Sequence, residues 1–372
     1  MPRFANMLAG GMQQRGHTAE IWTPSPKFYN LPGPDFIKKW LGYVDQFIVF
    51  PRDVRKRMKK VSGNTLFVFT DHALGPWVPL VANRPHVIHC HDFLAQQSAL
   101  GEIPENPTGI TGRYYQRMIH KGYSEGKNFI SVSFNTKAML HRFLPVSPEY
   151  SEVVYNGLNQ SFTPTDPCQA RGSVSSETGI ELKNGYLLHV GGNQWYKNRV
   201  GVVEIYNAWR IRQNETLPLL LVGEIPNRTL QDTINMSPYK SDIHVLSAVN
   251  DKILREAYAG ASVFLFPSKA EGFGWPIAEA MASGCPVITT NEAPMTEVAG
   301  TAGFLIPREP LDNSKIAGWA SGAAIRLDEI LKLSALERRN VVEAALQNAK
   351  RFDTQNALNR IEEIYKGILH EI

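Results

Sequence analysis

Two carboxylates frame the stretch of this chain with the richest chemistry. In Ser262-Val-Phe-Leu-Phe-Pro-Ser268, followed by Lys269-Ala-Glu271-Gly272-Phe273-Gly274-Trp275-Pro276-Ile-Ala-Glu279, a buried-strand pattern runs into a Pro-Ser loop, a glycine-containing turn and a helix start. Pro276 suits the first helical turn, where its missing amide leaves nothing unsatisfied. Gly272 and Gly274 permit a tight turn and close approach of the backbone to a ligand. The amides of Phe273 to Ile277, Pro276 excepted, then meet at the positive end of the helix and suit anionic oxygens. Glu279, about one turn inside, points back toward that end and can accept paired hydroxyl hydrogen bonds, while Glu271 on the loop reaches another part of the same ligand. A sugar nucleotide carries hydroxyl groups on both sides of a diphosphate. Taken singly, Glu271 reads equally well as a capping carboxylate and Glu279 as a solvated helix residue. The joint pattern, continued by Ala282-Ser-Gly-Cys-Pro-Val-Ile288, favours a ligand site.

A second segment, Val190-Gly191-Gly192-Asn193-Gln-Trp-Tyr-Lys197-Asn198, also follows a strand pattern. Its glycines can turn a loop, and Lys197 can set an ammonium against a diphosphate, with Arg199 as a supplement; a plain surface lysine is the alternative. Ser247-Ala-Val249-Asn-Asp251 offers a base-side loop of backbone groups and apolar contact. His89-Cys90-His91-Asp92 contains zinc-ligand chemistry, but alternate strand residues face opposite ways, so Cys90 opposes His89 and His91 and no metal site is expected. Asp71-His72, at another strand end, suits the acceptor side. No Asp-x-Asp occurs, so no metal bridge to a diphosphate is implied.

The elements that must position these groups follow from length and pattern. The 372 residues are about 2.5 times a roughly 150-residue domain, which favours two domains. Strand patterns at Thr18–Trp22, Gln46–Phe50, Leu66–Thr70, His86–Cys90, Phe129–Ser133 and Glu152–Val154 alternate with helical ones and read as α/β. A Ser/Thr/Pro/Gly-rich stretch from Ser161 to Gly185, with the loose run Arg171 to Gly179, reads as the interdomain connection. Strand patterns resume at Tyr186–Val190, Leu217–Val222, Asp242–Leu246, Ser262–Phe266, Pro286–Thr290 and Gly303–Ile306, before helices over Leu311–Leu327, Asp328–Ala349 and Asp353–Ile368. The expectation is two facing Rossmann-like domains with a cleft: residues 1–165 on the acceptor side, completed by a C-terminal helix 356–372, and residues 166–355 holding the donor. A helix over Phe4–Gln14 comes before any strand, so the first sheet is expected to lack the usual opening strand and glycine loop.

Composition excludes other classes. With 43% hydrophobic and 20% charged residues the chain is neither disordered nor a coiled coil. Three scattered cysteines, no long apolar run and no signal-peptide order point to a cytoplasmic setting, at the inner face of a membrane if at any membrane, where the sequons at Asn214 and Asn227 carry no weight. Residues 1–165 hold 18 basic and 11 acidic side chains and the remainder 21 and 24, so a near-neutral total hides a +7 half and a −3 half. The segment Arg52 to Lys60 carries six positive charges in nine residues. It reads as a solvated helix or as a contact for an anionic bilayer or charged acceptor. Nucleic acid is not expected, because no recognition helix or aromatic-basic platform accompanies it.

The stretch Leu254 to Thr290, with Glu271 and Glu279 separated by seven residues, resembles family 4 of the retaining glycosyltransferases, which have the two-domain GT-B fold. Gly16-His17, Ser133-Phe-Asn-Thr136 and Asn156-Gly157 extend the resemblance more weakly along the chain. It implies that Glu271 contacts donor-sugar hydroxyls and Glu279 the ribose, that the amides around Phe273, Gly274 and Trp275 hold sugar and diphosphate, and that His91 reaches toward the donor. Gly192 departs from the family, which often has a small polar residue or Arg there, leaving positive charge near the phosphates to Lys197 and helix ends. The implied reaction is metal-independent transfer with retention from a nucleotide-sugar, UDP-glucose ahead of GDP-mannose, to a saccharide or lipid-linked saccharide, with no prosthetic group. The competing readings are a GDP-mannose-dependent mannosyltransferase, a two-domain sugar-nucleotide epimerase and a noncatalytic sugar-nucleotide-binding protein. A nicotinamide oxidoreductase is disfavoured by the absence of Gly-x-Gly-x-x-Gly after a strand.

Overall fold

The computed structural model describes residues 2–158, 162–213 and 217–370, and the chain forms two compact α/β units, Met1–Tyr155 with Gln355–Ile372, and Asn156–Thr354. In the first unit, β1 (Phe67–Phe69), β2 (His86–Cys90), β3 (Asn128–Ser131) and β4 (Tyr150–Val153) lie side by side in that order, all parallel. Alternation along the strands divides two cores. Val87 and Ile130 face the helices Pro2–Gln14 and Thr354–His370, packing with Phe4, Leu8, Leu358 and Ile361. Ile88, Cys90 and Phe129 face the other way, against Ile119, Tyr123 and Leu140. Each fully buried Leu, Ile or Phe contributes about 1.5–3 kcal/mol, so the last helix is held to this sheet by several such terms.

Two expected strands are absent. Thr18–Trp22 is irregular, although the Trp22 ring reaches Phe67 of β1 at 5.9 Å. The run gives way at once to Pro24 and Pro26, which lack ladder donors. Gln46–Phe50 is helical, within a continuous rod made of Asp35–Val44, a π-helical turn Asp45–Val49, and Phe50–Met58. A short apolar run fits either structure. Here Asp45 favours helix, its buried carboxylate accepting the amides of Phe28 at 3.0 Å and Tyr29 at 2.9 Å and tying the preceding loop to the rod.

In the second unit, β5 (Leu187–Gly191), β6 (Leu219–Gly223), β7 (Ile243–Ser247), β8 (Val263–Phe266), β9 (Val287–Thr290) and β10 (Phe304–Ile306) form a parallel sheet ordered β10-β9-β8-β5-β6-β7. Leu219 to Val222 and Val263 to Phe266 are buried at every position, as expected where helices cover both faces. On one face, the helices Arg199–Arg210 and Ile316–Leu331 bury Val202, Tyr206, Ala323 and Leu327 against the strands. The chain winds outward from β5 through β6 and β7, then crosses back to lay β8 on the other side of β5. That reversal makes the C-terminal ends of β5 and β8 the topological switch point of the sheet, the place where open parallel sheets bind their ligands.

The stretch read as a loose connection is a helix, Pro167–Thr178. Asp166 caps it by accepting the Gln169 amide at 2.9 Å, and Gly179 ends it at φ 73°. Only Ala170 and Val174 are buried along it, so its Ser- and Gly-rich composition hid the periodicity. Residues 159–161, within the same expected connection, lie outside the described residues. The C-terminal helices break at Lys332–Ser334, later than expected, because Ser334 and Glu337 form a reciprocal capping box for Ala335–Ala349. Asn227 caps the helix Arg228–Met236, and Asn214 lies outside the described residues. Among the described residues no helix is long and apolar enough to cross a membrane.

Candidate active site

At the C-terminal ends of β5 and β8 the two motif loops are bonded together. The Lys269 amide donates to Tyr196 O at 2.8 Å, and Asn198 Nδ2 donates to Pro267 O at 3.1 Å. This brings Lys197 Nζ to 2.8 Å from Glu271 Oε1, with side chains only 15% and 8% exposed. Ser268 Oγ lies 2.7 Å from the same oxygen and 2.7 Å from Tyr196 O, its single proton serving one acceptor at a time. The ammonium also sits 5.0 Å from the Phe266 ring centre and 5.4 Å from that of Tyr196, both within cation–π range. Lys197 and Glu271, from loops seventy-four residues apart, therefore form one partly buried charged centre.

A second layer fixes those loops. Asn198 adopts φ 52°, its Oδ1 accepting the Gly201 amide at 3.2 Å to cap the helix Arg199–Arg210. Glu309 accepts from Asn198 Nδ2 at 2.7 Å and from Lys269 Nζ at 2.7 Å, so one buried carboxylate grips the residue after Lys197 and a residue two before Glu271. Asn193 is engaged in the loop itself: its amide donates to Glu224 at 2.9 Å, its Nδ2 to Ile225 O at 2.7 Å, and its Oδ1 accepts from Arg199 at 2.8 Å. Arg199 is buried, and Nε and Nη2 have no partner among the described residues. His189 on β5 is fully buried and donates through Nδ1 to Leu265 O at 2.8 Å. Desolvation drives its pKa down to about 3, against the opposing effect of that carbonyl. A Cβ on Gly191 would stand 2.9 Å from His189 Nε2, so the loop needs glycine there.

The helix Trp275–Ala282 begins at Gly274, whose φ of 106° only glycine adopts readily, and no side chain caps it. Contrary to the expectation from sequence, the Ile277 amide is not available to a ligand, since it donates to Gly274 O at 3.0 Å, closing a tight first turn. Pro276 sits in that turn. Phe273 is buried, with ring centres 5.5 Å from Phe352 and 6.4 Å from Trp275, so its side chain anchors the loop. Gly272 lies between this anchor and Glu271. Glu279 Oε2 accepts from Tyr258 OH at 2.8 Å, and burial followed by the Glu279 charge raises the Tyr258 pKa well above its ordinary value. Val249 lies beyond β7, two strands along from β5, after Ala248 at φ 57°. It shares the C-terminal edge of the sheet without joining the Lys197–Glu271 cluster. Gly192 stands over Gln194 and Glu224, where a Cβ would meet the nearer atoms at 2.6 and 2.9 Å.

Within the first unit, His91 follows β2 and bonds through Nε2 to Thr70 O at 3.0 Å, with Phe4 edge-on at 4.6 Å. Burial lowers its pKa, despite the nearby Asp71 charge. His89 faces the same side, bonding Tyr365 OH at 2.7 Å, while Cys90 packs on the opposite face. Asp71 caps a short 3₁₀ helix by accepting the Ala73 amide at 2.7 Å, with His72 Nδ1 at 3.2 Å. Among the described residues no group of three or more His, Cys, Asp or Glu side chains could hold a metal ion. Ser268, Tyr258 and Glu309 were missed from sequence: the first two donate to Glu271 and Glu279, and only the fold brings Glu309 to Asn198 and Lys269.

Residues 1–162 match the family described as Glycosyltransferase Family 4, and residues 184–317 match Glycosyl transferases group 1. An O-antigen chain mannosyltransferase B of Escherichia coli is 25% identical over 68% of this chain and 64% of its own length. O-antigen chain mannosyltransferase RfbU of Salmonella typhimurium is 25% identical over 62% of this chain and 57% of its own. The alignments thus span less than two thirds of either relative. Among solved structures, WaaG, a glycosyltransferase involved in lipopolysaccharide biosynthesis, superposes with a TM-score of 0.69 at 17% identity, covering 98% of this chain and 95% of that one. Anabaena Alr3699/HepE in complex with UDP and glucose gives 0.67 at 18% identity, covering 95% and 87%. At these identities the likeness is one of fold.

Proposed function

We propose, from the premise that this chain is a GT-B-fold glycosyltransferase related to family 4, that it moves a hexosyl group from a UDP-sugar to a hydroxyl of a saccharide or lipid-linked saccharide, with retention at the anomeric carbon. The observation that carries this reading is the Lys197–Glu271 pair beside the uncapped start of the helix Trp275–Ala282. A cation and an open helix end suit a departing diphosphate, and a carboxylate beside them suits sugar hydroxyls.

In this reading Lys197 and the amides near Gly274 and Trp275 take up the charge that develops on the leaving phosphate oxygen as the bond from C1 to that oxygen breaks. Glu271, held by Ser268 and Lys197, orients the sugar through its hydroxyls, and Glu279, held by Tyr258, accepts from the ribose. The acceptor oxygen bonds to C1 on the face the diphosphate leaves, and its proton passes to the phosphate oxygen. No covalent bond to Glu271 is needed. His91 keeps the role toward donor sugar or phosphate that the family resemblance gives it, and Val249 borders the base. The neutral imidazole favoured by burial makes His91 a hydrogen-bonding group rather than a cation.

The UDP donor is supported by the fold shared with a protein solved with UDP and glucose. A GDP-mannose donor is the second reading, favoured by the mannosyltransferase names of the sequence relatives. Both are tested by incubating the purified protein with UDP-glucose or GDP-mannose and a panel of saccharide acceptors, reading nucleotide release and product mass together. Release of UDP with one hexose added to an acceptor is the expected result. Transfer from GDP-mannose alone would select the second reading. Donor isomerisation without acceptor would indicate an epimerase, and binding without turnover across the panel a noncatalytic protein.

A further inference from the structure

The rod Asp35–Met58 presents its apolar side outward. A helix on a globular surface ordinarily turns its hydrophobic stripe to the core and its polar face to water. Here the segment Asp35–Val44 buries no residue at all, and Phe36 is 74% and Trp40 62% exposed. The side facing the protein is marked by Asp45, Phe50 and Val54, the residues buried along the rod. Phe36 and Trp40, four residues apart, share the opposite side, and the wider π-helical turn returns exposed Ile48 to it.

The same side continues into positive charge. Arg52, Arg55, Lys56 and Lys59 are all exposed and recur at helical three- and four-residue steps. Acidic groups do little to offset them: Asp45 is buried on loop amides, and Asp53 has Lys27 at 3.8 Å. Over about 36 Å of helix, aromatic and aliphatic side chains at one end thus give way to a basic row at the other. The same face of a second copy carries these cations again and few acidic groups to meet them. A surface that offers both an apolar layer and a dense array of phosphates suits both halves.

We propose that this rod lies flat on an anionic lipid bilayer, with Phe36 and Trp40 entering the boundary between headgroups and acyl chains and Arg52, Arg55, Lys56 and Lys59 contacting lipid phosphates. The contact is independent of donor chemistry, so it can stand or fall apart from the transferase reading.

The test is co-sedimentation of the full chain, without donor, with vesicles of phosphatidylcholine or of an equal mixture of phosphatidylcholine and phosphatidylglycerol. The expected result is binding to the mixed vesicles that weakens with added salt, and falls about tenfold or more in Arg55→Glu/Lys56→Glu and in Phe36→Ser/Trp40→Ser. Both variants are expected to keep the wild-type unfolding midpoint, since the residues are exposed. Equal binding to both vesicles, or binding that neither variant reduces, would overturn the proposal. So would a concentration-dependent dimer in sedimentation equilibrium that Phe36→Ser/Trp40→Ser abolishes, because it would assign the face to a second copy.

Discussion

Lys197 Nζ stands 2.8 Å from Glu271 Oε1, a contact that joins the loop after β5 to the loop after β8. Neither charge has much water to fall back on, so removing one partner leaves the other poorly solvated. Lys197→Ala and Glu271→Gln should each lower stability by about 2–3 kcal/mol in urea unfolding. The double variant should lose less than the two single losses together, by about 1–2 kcal/mol. Strict additivity would mean that the two side chains do not interact in the folded protein.

Tyr258 is expected to act through Glu279. Its hydroxyl donates to Oε2 at 2.8 Å from a fully buried position, which limits how Glu279 can turn. Tyr258→Phe keeps the packing and removes the donor. The donor KM should rise roughly fivefold with kcat little changed, as a lost hydrogen bond of ~1 kcal/mol would give. A fall in kcat at unchanged KM would place Tyr258 elsewhere in the reaction.

Two glycines should respond in opposite directions. Gly223 ends β6 at φ 146°, and a Cβ there would lie 2.1 Å from Gly191 O, a backbone atom of the neighbouring strand. Gly223→Ala should cost more than about 2 kcal/mol or prevent folding. Gly172, inside the helix Pro167–Thr178, has open space where its Cβ would be. Gly172→Ala should stabilise the protein by about 0.5–1 kcal/mol, readable as a higher Tm.

Acid should destabilise the fold through two histidines. Desolvation pushes His89 and His189 down to about 3, so the folded chain holds both neutral while the unfolded chain protonates them near pH 6.5. Their contribution is whole above about pH 6.5 and shrinks toward about pH 3, by roughly 1 kcal/mol per pH unit for each. Urea midpoints at about pH 7.5 and about pH 5 should therefore differ, and His89→Gln should flatten the slope. An unchanged slope in that variant would contradict the assignment.

The site was legible where chemistry and local geometry coincide. Glu271, Gly274, Pro276 and Glu279 lie within nine residues that also encode a turn and a helix start, just beyond a strand ending at Phe266, so type and spacing told one story. Lys197 was legible as a cation after a strand, but its pairing with Glu271 depends on β8 lying beside β5, which no local pattern contains. Glu309 was invisible for the same reason. The fold failed to declare itself where composition masked it: Pro167–Thr178 has too few buried side chains to show a period, and Gln46–Phe50 is apolar enough to satisfy helix or strand. Asn193 illustrates the converse, a polar residue at a motif position whose amide and side chain serve the loop itself.

Calorimetric titration of UDP-glucose into the wild type, Lys197→Ala and Glu271→Gln decides whether Lys197 and Glu271 form the donor site. Binding to the wild type, weakened about tenfold or more in Lys197→Ala and measurably in Glu271→Gln, is the expected result. Undiminished affinity in both variants, with each shown to be folded, would contradict it.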